Sequence, residues 1–278
     1  MTVLSNHTGK QCIHYHHDED FPELLENIHV KTGWDFRDYK KSSLKRRISL
    51  RLSAHNVSSY RDYNSILESD PEEYSRLVST ITVKVSEFFR EPEVFDLIRE
   101  LVIPSFSPEE GLRAWSCGCA HGEEAYSLGI VLANSIGIEK LRNVRIFATD
   151  IDEKAVNTAR KGLYREDSMQ NVSDPVKKAS FLKTDIGYEL RQDIRHLVRF
   201  GTLDIINGFP ISKVDLLFCR NMLIYFEKEL QKRVLEKLDF SLKPGGLLVL
   251  GKSETLPSSF SSRYEEILDR SRVYRRIS

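Results

Sequence analysis

An α/β fold built on a parallel sheet and preceded by an all-helical segment is what this sequence predicts, and three observations carry the prediction. Residues 19–105 show only helical spacing of apolar residues, whereas from Leu112 onward short apolar runs alternate with helical stretches. Such alternation covers both faces of each strand and so implies a parallel sheet. The third observation is size: 278 residues allow about two domains of ~150 residues each.

Taken in order, Phe21, Leu24, Leu25 and Ile28 keep three- and four-residue steps up to a break at Thr32-Gly33. Asp35 is placed to cap a second helix running to about Ala54, Ser59 to Glu68 forms a third, and Pro71 suits the first turn of a fourth through Leu77 and Ile81. Strands are expected at 112–116, 144–149, 214–219 and 247–251, with helices over 123–136, 152–160 and 227–241. Residues 163–200 are polar and broken at Asp174-Pro175, which marks an inserted subdomain. The last stretch, with Tyr264, Ile267, Leu268, Val273 and Tyr274, reads as a closing edge strand of antiparallel sense. The domains expected are therefore 19–105, a helical domain with its linker, and 106–278, the α/β domain.

Lys+Arg and Asp+Glu both number 41, so the formal net charge is zero and a protein that coats nucleic acid is not expected. No apolar run approaches the ~18–20 residues of a membrane span, and the first residues lack a signal peptide's apolar core. Cys12, Cys117, Cys119 and Cys219 are scattered without disulfide or metal-ligand rhythm, and no metal role is assigned to His14, His16 or His17. The expectation is a reduced, cytoplasmic protein without metal.

The chemistry is expected at the carboxyl ends of the strands, where strand order reverses. Cys117-Gly118-Cys119-Ala120-His121-Gly122-Glu123-Glu124 links a strand to a helix, with small residues at alternate positions. Small residues let a ligand approach the backbone, but Glu123 at the helix start disfavours a pyrophosphate and favours a cation or an amino group. The second strand ends at Asp150, placed to accept from both ribose hydroxyls, while Asp152 is placed to cap the next helix. Together these describe an uncharged or cationic adenosine ligand, a description S-adenosylmethionine satisfies.

Six segments then occur in register: TGWDFRDYKKSSLKRRI (32–48), ITVKVSEFFREPEVF (81–95), RAWSCGCAHGEEAYSLGI (113–130), IFATDIDEKAV (146–156), FCRNMLIYFE (218–227) and LKPGGLLVLGKSE (242–254). The chain thereby resembles the CheR-type chemotaxis receptor methyltransferases over roughly residues 20 to 276. The resemblance implies a Rossmann-like class I S-adenosylmethionine methyltransferase domain, an N-terminal all-α domain and a small inserted β-subdomain. It implies methyl transfer to glutamate side chains of chemoreceptors, whose acidic helical cytoplasmic domain would be the partner, with neither nucleic acid nor membrane insertion. Carried over, the family's cofactor segment falls on Lys84, Ser86 and Arg90, its acidic residue on Glu123, its ribose acid on Asp150 and its adenine-flanking pair on Asp204-Ile205. Gly118 belongs to the same cofactor loop, and Arg220, Asn221 and Tyr225 lie near the methyl, Arg220 either holding the substrate carboxylate or closing the pocket. Lys84, His121, Ala125 and Asp204 depart from the family pattern. The alternatives are a cofactor-binding regulatory module with little transfer activity, or a methyltransferase for another acidic protein.

Residues 31–62 carry nine Lys/Arg against three Asp, and Arg37, Lys40, Arg47 and Arg51, separated by 3, 7 and 4 steps, fall on one helical stripe. By itself that stripe is a solvated charged face; opposite an acidic receptor helix it becomes a docking surface. Phe88 and Phe89 read as core residues.

Overall fold

The computed structural model describes residues 18–277, so Cys12, His14, His16 and His17 lie outside the described residues. The chain forms two compact units, one of residues 41–81 with the segment ahead of Asp38, the other of 38–40 and 82 onward.

The first unit holds four helices: α1 (Phe21–Thr32), α2 (Lys41–Ala54), α3 (Tyr60–Ser69) and α4 (Pro71–Ile81). Their inward faces are the spaced residues Leu24, Ile28, Leu44, Ile48, Leu52, Tyr63, Leu67 and Leu77, each almost fully buried. Burying one such side chain is worth roughly 1.5–3 kcal/mol. Gly33 ends α1 at φ +77, returning its N–H to the His29 carbonyl, and the Ser59 hydroxyl caps α3 by accepting from the Asp62 amide. Asp35 does not cap α2: it accepts from the Arg37 amide at 3.1 Å and is tied to the Arg37 guanidinium, and the helix starts only at Lys41. That local ion pair holds the chain in a turn and delays the helix.

Within this core Glu73 is fully buried. Its carboxylate accepts from Arg51 Nε and Nη2, both at 2.7 Å, and from the Tyr63 hydroxyl at 2.7 Å, with His55 Nε2 at 3.3 Å. Burial alone would raise its pKa, but these donors outweigh burial and hold it at about 2.

In the second unit the elements run α5 (Pro92–Val102), β1 (Leu112–Cys117), α6 (Glu123–Ile136), β2 (Val144–Asp150), α7 (Glu153–Lys161), β3 (Leu163–Tyr164), α8 (Asp174–Ser180), β4 (Phe181–Thr184), β5 (Gly187–Leu190), α9 (Gln192–Arg195), β6 (Val198–Thr202), β7 (Val214–Cys219), α10 (Lys228–Ser241), β8 (Leu242–Leu250), β9 (Tyr264–Glu266) and β10 (Val273–Arg276). Seven strands form one sheet in the order β6-β2-β1-β7-β8-β10-β9. The first five are mutually parallel, while β10 runs antiparallel to both β8 and β9. Strand order reverses between β1 and β7, so their carboxyl ends open the crevice where such sheets bind ligands. The period-two rule is visible in the packing. Ala114, Leu216, Phe218, Leu247 and Val249 join the core on one face, while Trp115, Leu217, Cys219, Leu248 and Leu250 join the core beneath α10. Phe88 lies in the first core, edge-on to Tyr164 and Phe181.

Three boundaries differ from the sequence reading. The break between units falls at Ile81/Thr82, not near residue 105, because Val94, Phe95 and Ile98 of α5 pack into the core of the α/β unit. The insert forms its own three-stranded sheet, β3-β5-β4, but closes before residue 200, since Val198–Thr202 pairs with β2 as an edge of the main sheet. The terminal stretch is a pair of strands, β9 and β10, rather than one.

Candidate active site

The β1–α6 loop shows why small residues stand there. Gly118 takes φ +79 and Gly122 φ +91, and a Cβ at Gly122 would lie 2.8 Å from the Phe200 ring. The Gly118 and Cys119 amides both donate to the Thr149 carbonyl at the end of β2. Ala120, also left-handed at φ +47, donates its amide to Asp150 Oδ2 at 2.9 Å, and Asp152 donates its amide to Asp150 Oδ1 at 2.9 Å. Asp150 therefore shapes the loop on one side of its carboxylate and keeps lone pairs for a ligand. Burial pushes its pKa up, against the two amides that lower it.

Glu123 opens α6 with only 3% of its surface exposed. Ser86 stands beside its carboxylate, yet Oε2 has no hydrogen-bond partner among the described residues, and burial raises its pKa. A buried carboxylate oxygen without a donor is costly unless a ligand supplies one. An ammonium group does so, and S-adenosylmethionine carries one on its methionyl end; the residues present fit that cofactor.

Lys84 points elsewhere: its ammonium lies 2.5 Å from Asp152 Oδ2, while Asp152 Oδ1 caps α7 through the Lys154 and Ala155 amides. Asp152 thus caps, as expected, and Lys84 fastens the segment ahead of α5 to that cap. Burial and the Lys84 charge lower the His121 pKa, while its carbonyl accepts from the Tyr164 hydroxyl. Arg90 is half-buried, with Nη1 donating to the Val85 carbonyl.

Beyond β6, Asp204 Oδ1 accepts from the Ile206 amide and Ile205 is buried. This turn is organised by Lys237 of α10, whose Nζ donates to the Ile205, Ile206 and Gly208 carbonyls. Lys237 was not apparent from sequence, since it stands 29–32 residues beyond the carbonyls it ties, past β7.

Arg220 follows β7, and its side chain is 2% exposed. The guanidinium bonds Glu91 Oε2 at 2.8 Å, Glu124 Oε2 at 3.3 Å and the Arg90 carbonyl at 2.9 Å. Glu124 in turn accepts from Ser116 of β1. Both acids that neutralise Arg220 belong to the protein, while its buried Nε has no hydrogen-bond partner among the described residues. Next to it Asn221 is left-handed at φ +59, and Tyr225 ends a short 3-10 turn at Leu223–Tyr225. The Tyr225 carbonyl accepts from the Lys40 amide, which makes Lys40 part of this unit.

The basic stripe does not exist as one helix face. Arg37 and Lys40 precede α2, and Arg37 is paired with Asp35 and Glu26. Arg51 is turned inward onto Glu73. Arg47 remains, four residues before Arg51, without an ion pair among the described residues; Lys40 is exposed. Cys117, Cys119 and Cys219 are buried and unbridged. Among the described residues no group of three or more His, Cys, Asp or Glu is placed to hold a metal, and no helix is long and apolar enough to cross a membrane.

A doubly wound sheet with an acid at the end of β2 and a buried acid opening α6, the helix after β1, is the arrangement of a class I S-adenosylmethionine-dependent methyltransferase. The comparisons make this particular. Residues 19–82 match the CheR methyltransferase all-alpha domain, and 84–272 match the CheR methyltransferase SAM binding domain. Chemotaxis protein methyltransferase 2 of Pseudomonas aeruginosa is 32% identical over 252 residues, covering 88% of this chain and 89% of that protein. Chemotaxis protein methyltransferase 2 of Vibrio cholerae is 32% identical over 86% of both chains, and the Listeria innocua chemotaxis protein methyltransferase 31% identical over 86% of this chain and 91% of that one. The chain belongs to the CheR methyltransferase family, and its cofactor is S-adenosylmethionine.

Proposed function

We propose that this enzyme methylates glutamate side chains of chemotaxis receptors in the cytoplasm, making methyl esters. The observation that carries the reading is that both CheR domains match in order across residues 19–272, with relatives named as chemotaxis methyltransferases aligned over most of their length.

The chemistry suits the site. When bound, S-adenosylmethionine would supply an electrophilic methyl on a sulfonium, which a substrate carboxylate oxygen would take with the carbon–sulfur bonding pair left on sulfur. A glutamate is already ionised near neutral pH, so no general base is needed. The protein's part is to align the reacting atoms and exclude water from two charges that neutralise each other. A strongly ion-paired nucleophile would be damped. That Arg220 is already neutralised by Glu91 and Glu124 supports a wall that guides the carboxylate without binding its charge. Tyr225 is the positioning group, Glu123 meets the cofactor's ammonium, Asp150 its ribose, and Asp204-Ile205 flank its adenine. Arg90, Ser86, Gly118 and Asn221 complete the cofactor site, while Arg47 of the helical unit faces the acidic helix of the receptor.

Incubation with methyl-labelled S-adenosylmethionine and receptor cytoplasmic fragments tests the reading. Base-labile label on receptor glutamates is expected. Cofactor binding without transfer would instead make the chain a regulatory module, and label on another acidic protein alone would move the substrate.

A further inference from the structure

At the carboxyl ends of β7 and β8 two loops are fastened by one side chain outside the set described so far. Glu254 lies just past β8 and is 4% exposed. Its Oε2 accepts from the Gly251 amide at 2.7 Å within its own turn, and from the Asn221 amide at 2.9 Å across the neighbouring strand. Its Oε1 accepts from the Ile224 amide at 3.2 Å. A buried carboxylate is normally balanced by a cation, but every hydrogen bond drawn to this one comes from backbone. It is placed where a 3-10 turn begins, and the turn's N–H groups, which have no internal partner, are the ones it collects.

What it collects is the segment carrying the methyl-transfer residues. Asn221 sits at φ +59, the left-handed conformation that asparagine accepts more readily than other residues with a Cβ, and Glu254 fixes its amide there. Tyr225 is four residues on, at the end of the same turn. The packing leaves no alternative seat: a Cβ at Gly251 would lie 2.8 Å from the Asn221 amide nitrogen and 2.8 Å from Glu254 Oε2. From the other side Arg220 is anchored to α6 and to Glu91. The loop is thus held at its root by Arg220 and along its length by Glu254.

We propose that Glu254 is a positioning residue for methyl transfer, fixing Asn221 and Tyr225 by anchoring the backbone amides between them. The proposal rests on the receptor-methylation reading above.

Glu254→Gln keeps shape and replaces one acceptor oxygen with an NH2 that faces an N–H donor. Under single-turnover conditions with receptor fragments the rate should fall by between about 10- and 100-fold, the scale of a sub-ångström to 1 Å misplacement. S-adenosylhomocysteine affinity should fall clearly less than the rate, because Asn221 is one of several cofactor contacts whereas the transfer geometry depends on Asn221 and Tyr225 together. Combined with Tyr225→Phe, the double variant should be little worse than the poorer single one, since both act through one group. Amide exchange over 221–224 should quicken while β7 and β8 stay protected. Should Glu254→Gln not fold, Glu254→Asp, which keeps the charge and shortens the reach, is read the same way. A parental rate in the variant, or losses that multiply with Tyr225→Phe and track cofactor affinity, would overturn the proposal. A parent that labels no receptor sinks the receptor reading instead; unchanged exchange over 221–224 sinks the Glu254 proposal even then.

Discussion

Glu73 in the helical unit and Glu123 in the α/β unit are both buried helix residues, 0% and 3% exposed, yet they are treated oppositely. Around Glu73 the fold has brought Arg51, Tyr63 and His55, and the carboxyl is held well below the ordinary range. Around Glu123 burial wins, and one oxygen is left without a donor. The difference separates a carboxylate whose donors come from the fold from one whose buried oxygen has no donor among the described residues. It also predicts which experiments read stability and which read binding.

The largest effect is expected at Glu73. Glu73→Ala strands the Arg51 guanidinium and the Tyr63 hydroxyl, and removing one partner of a buried pair costs about 3–5 kcal/mol. Urea unfolding should show that loss with S-adenosylhomocysteine affinity unchanged; a loss under ~1 kcal/mol would mean the hub is no stabiliser. Because the folded-state pKa lies below the unfolded value, its stabilisation is complete above about pH 5 and drains away as pH falls toward 2. Glu73→Ala should abolish that part of the acid sensitivity.

Asp150 comes next. Asp150→Ala removes the expected bonds to both ribose hydroxyls and frees the Ala120 amide that shapes the loop, so affinity for S-adenosylmethionine and S-adenosylhomocysteine should fall alike by about 2–3 kcal/mol. Equal calorimetric affinity in variant and parent would remove Asp150 from the site. Glu123→Gln inverts the Glu73 result: affinity for both cofactor forms falls by roughly 1.5–2 kcal/mol, the worth of a charge-assisted bond, while melting temperature holds or rises because a buried charge has gone. A variant that melts early and binds normally would make Glu123 a second structural acid.

How much of this was legible depends on the range of the interaction. The helices of the first unit and strands β1, β2 and β7 were readable because their apolar residues keep local periods. Strand β6 was hidden because Arg199 and Gly201 interrupt the apolar run, and only its pairing with β2 makes it a strand. Asp150 and Glu123 were legible as candidates from their places at the end of β2 and just after the β1 loop. The long-range ties were not: Arg220 meets Glu91 from 129 residues away and Glu254 reaches Asn221 across 33. The stripe failed for a related reason, since spacing places Arg51 on a face but cannot show that Glu73 of another helix claims it.

That failure sharpens the docking question, where the smallest effect is expected. Arg47 and Arg51 share a helix face four residues apart, but Arg51 belongs to the Glu73 hub and Arg47 has no ion pair among the described residues. Arg51→Glu should therefore lower the melting temperature sharply and reveal little about receptor binding. Arg47→Glu should leave melting temperature and cofactor affinity alone and raise KM for the receptor fragment by roughly two- to fivefold at low salt, about 0.4–1 kcal/mol for a rim charge. Arg47 is half-buried with its Nε out of solvent, so only the part of its field that crosses water is screened, over about 8–10 Å at 0.1–0.15 M salt. The difference should therefore shrink in part as salt is added while kcat stays constant. Equal KM for Arg47→Glu and parent at low salt would return Arg47 to an ordinary solvated face and leave Lys40, beside Tyr225, as the remaining basic contact of the original stripe.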